Sequence, residues 1–276
     1  MRDTLAAMPT LTLTDDAELH YDVDGEGPVV TLIHPGLWDM RTWDREFRRL
    51  VEEGFRVLRY DVRGYGGSSR PLPGATYSHV RDLSTLLETA GIVQTALVGC
   101  SMGGGIALDF ALEHPERVWA VVLVATGLGG YEPTEEEEEG DANAYGPVLA
   151  AIEAGDVEGA LDLELGIWAS LGFEDQGGRR IREIAFDNIH QLTMDETGKE
   201  RPDPPAAHRL GELDVPTLIL DAEHDPPYQH RIADLLSREI IGAHSFVVEG
   251  ADHVVNLRRP ERFDELVIPF LADAAP

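Results

Sequence analysis

The chain of 276 residues is poor in cysteine and in long apolar runs. Its single cysteine, Cys100, excludes an intrachain disulfide and is typical of a protein in a reducing cytoplasm. No apolar run reaches the roughly 18 residues of a membrane-spanning helix, so none is predicted. The first ten residues, MRDTLAAMPT, lack the apolar core of a secretory signal, so we expect a cytoplasmic protein.

Basic residues are also scarce, and only Lys199 is a lysine. The 22 Lys and Arg residues against 51 Asp and Glu residues give a net charge of −29. Such a chain repels phosphate backbones and anionic membrane surfaces, so neither nucleic acid nor a membrane is an expected partner. Two interpretations of the acidity stay open: a GC-rich coding bias with a solvated acidic surface, or adaptation to high salt.

Short apolar runs alternate with stretches of helical periodicity. Residues 10–14 and 18–23 alternate polar and apolar side chains and predict a hairpin. Further strands are predicted at 29–33, 55–60, 96–99, 118–125, 217–220 and 245–249, and helices at 78–89, 102–113, 228–239 and 260–271. This order predicts an α/β fold, with a mostly parallel sheet and an antiparallel start.

One long segment, residues 128–209, interrupts that alternation. It contains helix-like stretches at 145–154, 157–170 and 178–194 with no strand between them, and the run Glu135–Glu139 indicates a solvated loop. We therefore predict a core made of residues 1–127 and 210–276, with a helical cap at 128–209 over one end of the sheet.

The sequence Gly99-Cys100-Ser101-Met102-Gly103 fits the G-x-S-x-G pattern of a nucleophilic serine. It follows a predicted strand and precedes a predicted helix, which is the context that the pattern requires. Small residues at both ends let the chain turn sharply and place Ser101 at the apex.

A serine nucleophile needs a base and an orienting carboxylate. His253 lies between the last predicted strand and the last helix, on the sheet edge where Ser101 is expected. Asp225 follows the preceding strand, and Asp221 and Glu223 are alternatives for the acid.

Several motifs together resemble α/β-hydrolase-fold serine hydrolases. They are His34-Pro35-Gly36, the segment Asp61–Ser68, the serine motif, the segment 216–225 and Gly-Ala-Asp-His253. The resemblance covers nearly the whole chain outside 128–209. It implies an eight-stranded sheet, a cap after the sixth strand and the triad Ser101, Asp225 and His253.

The resemblance also implies an oxyanion hole made of backbone N–H groups. Pro35 stands where the family often has glycine and has no N–H to donate. Gly36 and Met102 are therefore the expected donors, with Leu37 as the fallback. Asp61 and Arg63 are expected to pair in a structural loop near the serine.

These features predict a serine hydrolase that cleaves esters of small to medium, mostly neutral compounds through an acyl-enzyme. No metal site or cofactor is expected, and the protein is expected to be a monomer or homodimer. Candidates for an apolar substrate pocket, each of which also fits the core of the insertion, are Trp38, Trp168, Phe173, Phe186 and Met194.

Other functions fit the same triad. A carbon–carbon bond hydrolase of the meta-cleavage type would need a polar pocket for a dienoate, and an enol-lactone hydrolase is also compatible. A perhydrolase side activity uses the same residues. A ligand receptor that has kept its triad is an alternative outside enzymology.

Overall fold

The computed structural model of the protein describes residues 9–276, in which eight strands form one sheet. Residues 1–8, most of the segment inspected for a signal, lie outside the described residues. In chain order the strands are β1 (Thr10–Thr12), β2 (Glu18–Asp24), β3 (Val29–Ile33), β4 (Arg56–Tyr60), β5 (Thr95–Cys100), β6 (Val118–Val124), β7 (Thr217–Ala222) and β8 (His244–Val248).

The sheet has the order β1-β2-β4-β3-β5-β6-β7-β8. Strand β2 pairs antiparallel with β1 and β4, and all other neighbours pair in parallel. The α/β class, the parallel sheet and the antiparallel start are confirmed.

Helices connect the parallel strands. They are α1 (Asp44–Glu52), α2 (His79–Thr89), α3 (Met102–Glu113), α4 (Glu135–Glu153), α5 (Val157–Trp168), α6 (Gln176–Asp187), α7 (Pro227–Glu239), α8 (Val255–Arg258) and α9 (Pro260–Ala274). Within residues 9–276, no helix combines the length and apolar character needed to cross a membrane.

The middle of the sheet is buried on both faces. In β6, Val121 and Leu123 pack in one apolar cluster, which includes Phe110 of α3. The alternate residues Val122 and Val124 pack in a second cluster on the opposite face. Because successive side chains of a strand point to opposite faces, this explains the unbroken apolar runs in the sequence.

Helices α4, α5 and α6 are inserted between β6 and β7. A third apolar cluster joins Leu161 and Ile181 of this insertion to Leu37, Trp38 and Val254. Leu37 and Trp38 follow β3, and Val254 follows β8, so the insertion packs over loops at the carboxyl edge of the sheet. The domain bounds at 128 and 209 stay a prediction.

The interpretation of Glu135–Glu139 as a loop is wrong, because α4 begins with these five residues. Thr134 and Glu137 form a reciprocal capping box, in which each side chain accepts a hydrogen bond from the other residue's backbone N–H. Carboxylates are also favourable at the positive end of a helix. Glu137 is buried and paired with Arg231, so it has a structural role.

The expected pair between Asp61 and Arg63 is also wrong. Asp61 instead accepts hydrogen bonds from the backbone N–H groups of Met40 and Gly67, at 2.9 and 2.8 Å. Arg63 forms ion pairs with Asp82 and Asp15. Both side chains are buried near the sheet edge, but each holds a different segment of chain in place.

Helix α3 approaches the sheet very closely, and two glycines make this possible. A Cβ on Gly103 would lie 2.2 Å from the carbonyl oxygen of Ile33 in β3, and one on Gly99 would lie 2.2 Å from that of Gly103. Both contacts are with backbone atoms, which cannot rotate away. Any larger residue would therefore push α3 off the sheet.

We predict that Gly103→Ala lowers the free energy of unfolding by about 1–3 kcal/mol or more, because the added methyl group overpacks a backbone contact. The matched control is Gly166→Ala in α5, where an added Cβ meets nothing within 4 Å. There alanine should raise stability by about 0.5–1 kcal/mol through its higher helix propensity. Urea unfolding of both variants measures this, and equal effects would contradict the close-packing argument.

Candidate active site

Ser101 lies at the sharp turn between β5 and α3, as the sequence motif predicts. Its backbone has φ 50° and ψ −115°, an unfavourable conformation for a residue with a side chain. Backbone hydrogen bonds hold it there: the Ser101 N–H donates to Val124 at 2.9 Å, and its carbonyl accepts from Gly127 at 3.0 Å. The strain is therefore fixed by the neighbouring strand β6 and the loop that follows it.

The candidate base and acid meet on loops that follow the last two strands. The Nδ1 atom of His253 lies 3.0 and 3.1 Å from the two carboxylate oxygens of Asp225. Both side chains are almost fully buried. Because a carboxylate only accepts hydrogen bonds, this contact places the ring proton on Nδ1 and leaves Nε2 free to act as a base.

The two alternative acids are engaged elsewhere. Asp221 lies 2.7 Å from Nδ1 of His230, and Glu223 accepts a hydrogen bond from the backbone N–H of Gly250 at 2.7 Å. Among the three candidates, only Asp225 is hydrogen-bonded to His253.

The loop after β3 reaches the serine motif. A Cβ on Gly36 would lie 3.9 Å from that of Met102, so the two residues adjoin, and Leu37 has a positive φ of 68°. His34 shapes this loop: its Nε2 accepts from the N–H of Val62 at 2.9 Å, while Nδ1 contacts the Pro35 carbonyl. The Met102 N–H belongs to the first turn of α3, where backbone donors have no partner within the helix.

Two cavities open at Ser101. The smaller, about 160 Å³, is lined by Gly36, Leu37, Trp38, Ser101, Tyr145, Glu164, Trp168, Gln191 and His253. The larger, about 440 Å³, is lined by Ser101, Met102, Gly127, Leu128, Tyr131, Pro133, Asp141, Trp168, Tyr228, Gln229 and Ile232. Ser101 and Trp168 border both, so two separate spaces adjoin the serine.

The structure brings only two of the five predicted pocket residues to these cavities, Trp38 and Trp168. Phe173 and Phe186 instead pack around the apolar cluster of the insertion, and Met194 packs against the main core beside Gly64. Their side chains fill the gaps between the insertion and the core, which is the alternative interpretation that the sequence allowed.

Sequence reasoning missed the polar wall of the smaller cavity, which consists of Tyr145, Glu164 and Gln191. One signal was available: Glu164 lies four residues before Trp168 on the same predicted helix, and residues at that spacing share a helix face. The other two come from separate elements, and no local pattern connects them.

Trp168 is the direct contact between the insertion and the candidate base. Its ring centroid lies 4.2 Å from that of His253, at an interplanar angle of 40°, and its carbonyl accepts from the His253 N–H at 3.3 Å. The last residue of α5 therefore contributes to the site.

A buried ion pair supports the histidine loop from behind. The carboxylate of Asp252 accepts hydrogen bonds from the guanidinium of Arg258 at 2.8–3.0 Å, and both side chains are buried. Arg258 also donates to the carbonyl of Gly172 and pairs with Asp175 in the insertion. Asp252 in turn accepts from the N–H of Leu171. The pair thus joins the loop of His253 to the insertion.

We predict that Arg258→Met lowers the free energy of unfolding by about 3–5 kcal/mol, because it leaves the buried Asp252 carboxylate without its positively charged partner. The control is Arg262→Met, which removes an exposed arginine paired with Glu265 and should cost no more than about 1 kcal/mol. Chemical denaturation followed by circular dichroism measures both. A loss of under 1 kcal/mol for Arg258→Met would show that the pair does not anchor the loop.

Within residues 9–276, no cluster of three or more His, Cys, Asp or Glu side chains is placed to hold a metal ion. The chemistry that the arrangement can perform is nucleophilic: a serine at a strained turn, an imidazole with a free nitrogen and adjoining backbone donors.

The chain is similar to known hydrolases over nearly its whole length. A family model described as the alpha/beta hydrolase fold matches residues 28–146. A 2-hydroxy-6-oxononadienedioate/2-hydroxy-6-oxononatrienedioate hydrolase of Burkholderia vietnamiensis is 28% identical over 93% of this chain and 91% of the relative.

Solved structures agree with the fold. A hydrolase from Pseudomonas aeruginosa is 25% identical, with a TM-score of 0.76 over 97% of this chain and 99% of that one. A thermophilic esterase from Thermogutta terrifontis is 23% identical, with a TM-score of 0.78 over 98% of this chain and all of that one. The protein is an α/β-hydrolase-fold hydrolase, as the motifs predict.

Proposed function

We propose that the protein cleaves carboxylic esters of small to medium, mostly neutral compounds through an acyl-enzyme. The observation that carries this proposal is the hydrogen bond between Asp225 and His253, whose ring lines the same cavity as Ser101. A strained serine, a histidine with a free nitrogen and a buried carboxylate form the arrangement that ester hydrolysis requires.

In the proposed reaction His253 removes the proton of Ser101 as the oxygen attacks the ester carbonyl. Asp225 stabilises the imidazolium that forms. The imidazolium then protonates the leaving alcohol, and the acyl group stays on Ser101. A water molecule, deprotonated by His253, releases the acid and restores the enzyme.

The developing negative charge on the carbonyl oxygen needs donors in fixed positions. We assign them to the N–H groups of Gly36 and Met102, with Leu37 as the fallback on the same loop. The adjacency of Gly36 and Met102 supports this assignment. Removing one such donor typically costs a factor of about 10² to 10³ in rate.

The charge of the cavity walls supports a neutral substrate. No lysine or arginine lines either cavity at Ser101 in the described part of the chain, while Glu164 and Asp141 do. The Burkholderia relative is named for a dicarboxylate substrate. A substrate with two carboxylates would meet acidic side chains here and find no cation, so we place an ester ahead of a dienoate.

Residues 128–209 act as the lid of this site in our proposal, and residues 1–127 and 210–276 as its core. We further propose that the enzyme works in the cytoplasm, as a monomer or homodimer. The single cysteine, which is buried, supports a reducing compartment.

We predict that Ser101→Ala lowers kcat/KM for p-nitrophenyl butyrate by at least about a thousandfold, because the nucleophile is removed. It should also abolish labelling by a fluorophosphonate probe. The control is Ser237→Ala, an exposed serine on α7, which should keep full activity and labelling. Turnover and labelling that survive in Ser101→Ala would exclude this mechanism.

We predict that the wild-type enzyme turns over neutral esters and lactones at least about tenfold faster than a carboxylate-bearing dienoate ketone at equal concentration. The reason is repulsion by Asp141 and, at an assay pH above the Glu164 pKa of about 7, by Glu164, with no compensating cation. Parallel assays by proton release and by loss of dienoate absorbance measure the ratio. A dienoate preferred over every ester would instead support the carbon–carbon bond hydrolase.

A further inference from the structure

The smaller cavity contains polar groups that the proposed mechanism does not use. Glu164 of α5, Tyr145 of α4 and Gln191 after α6 line it together with Ser101 and His253. A pocket for a plain alkyl group would be lined by apolar side chains. Three polar side chains from three parts of the insertion therefore meet beside the nucleophile.

Glu164 differs from most of the partly buried carboxylates in having no basic partner. Asp39, Asp82 and Asp252 are each paired with an arginine. No ion pair involves Glu164 among the described residues. Burial raises the pKa of its carboxyl to about 7, and the Trp168 indole opposes that rise. A carboxyl kept out of water without a cation is costly unless a hydrogen-bonding group fills the site.

The neighbouring side chains can share such a group. Burial, together with the charge of Glu164, raises the pKa of Tyr145, so its hydroxyl stays protonated. Burial also raises the pKa of Tyr65, on the loop after β4, and the nearby charge of Glu164 contributes to the same rise. The cavity that Glu164 lines thus also contains the Tyr145 hydroxyl, the Gln191 amide and the His253 ring.

We propose that Glu164 is a specificity-determining residue, which accepts a hydrogen bond from a hydroxyl group on the substrate and makes short hydroxylated esters the preferred class. This inference rests on the proposed ester hydrolysis and adds the substrate class. The volume of about 160 Å³ is below the roughly 300–1,000 Å³ of pockets for drug-sized ligands, so the hydroxylated group is short.

A hydroxyl fits this wall better than the alternatives. An alkyl group would leave the carboxyl with no partner beyond the Trp168 indole, and a buried polar group that lacks a hydrogen bond is destabilising. A carboxylate would face Glu164 across a small space. A hydroxyl can donate to Glu164 and accept from Tyr145 or Gln191 in the same position.

The test compares esters in which a hydroxyl replaces a methyl group of the same size. Ethyl 3-hydroxybutanoate is compared with ethyl 3-methylbutanoate, and 2-hydroxyethyl butanoate with propyl butanoate. The first pair places the hydroxyl on the acyl side and the second on the alcohol side. Titration of the released acid gives kcat/KM for wild type, Glu164→Gln and Glu164→Leu.

We expect wild type to prefer the hydroxylated member of at least one pair by about tenfold, since one hydrogen bond to a carboxyl is involved. Glu164→Leu should abolish that preference, and Glu164→Gln should keep part of it, because an amide oxygen also accepts. The controls are Glu158→Gln and Glu158→Leu, at an exposed position of the same helix, which should leave every ratio unchanged.

The outcomes separate the two proposals. Wild type that hydrolyses these esters without preference, or a preference that persists in Glu164→Leu, would overturn the role of Glu164 and leave ester hydrolysis intact. A wild-type enzyme that hydrolyses no ester, and whose Ser101 is not labelled by a fluorophosphonate, would overturn the proposed function itself.

Discussion

The site depends on how closely the start of α3 can approach strand β3. With Gly103 against the carbonyl of Ile33, the first turn of α3 lies next to the loop that contains Gly36. That contact brings the Met102 N–H beside this loop, while backbone hydrogen bonds to Val124 and Gly127 hold the strained turn at Ser101. The adjacency of the candidate oxyanion donors thus depends on the absence of side chains at Gly103 and at Gly99, which lies against it.

The opposite half of the site is organised by two aspartates in the polar loops after β7 and β8. Asp225 is hydrogen-bonded to the His253 ring, and Asp252 binds Arg258, which holds the insertion. Neighbouring residues of one loop therefore have different tasks: His253 faces the cavity, while Asp252 secures the backbone beneath it. The hydrogen bond to Asp225 and the ion pair of Asp252 together hold the imidazole in a fixed orientation, although His253 lies on a loop.

The fold and the candidate triad could be predicted because each depends on local patterns. Short apolar runs predicted the parallel strands. The candidate serine, acid and histidine each follow one of these strands, which predicted that they meet at one edge of the sheet. The segment that contains Glu137 was misinterpreted as a loop. Two contacts fix Glu137 at the start of α4, the capping box with Thr134 and the ion pair with Arg231, and Arg231 is distant in sequence. Arg63 likewise pairs with two acids from remote segments. The polar wall around Glu164 arises only when helices of the insertion pack together, which no periodicity reveals.

The contact between the Trp168 and His253 rings has a consequence for the way the insertion is attached. Trp168 is the last residue of α5, so the insertion cannot separate from the core without removing an aromatic surface from the imidazole and exposing that ring to water. The burial of the His253 side chain, which is only 2% exposed, therefore depends in part on the last residue of an inserted helix and not on the sheet and its loops alone.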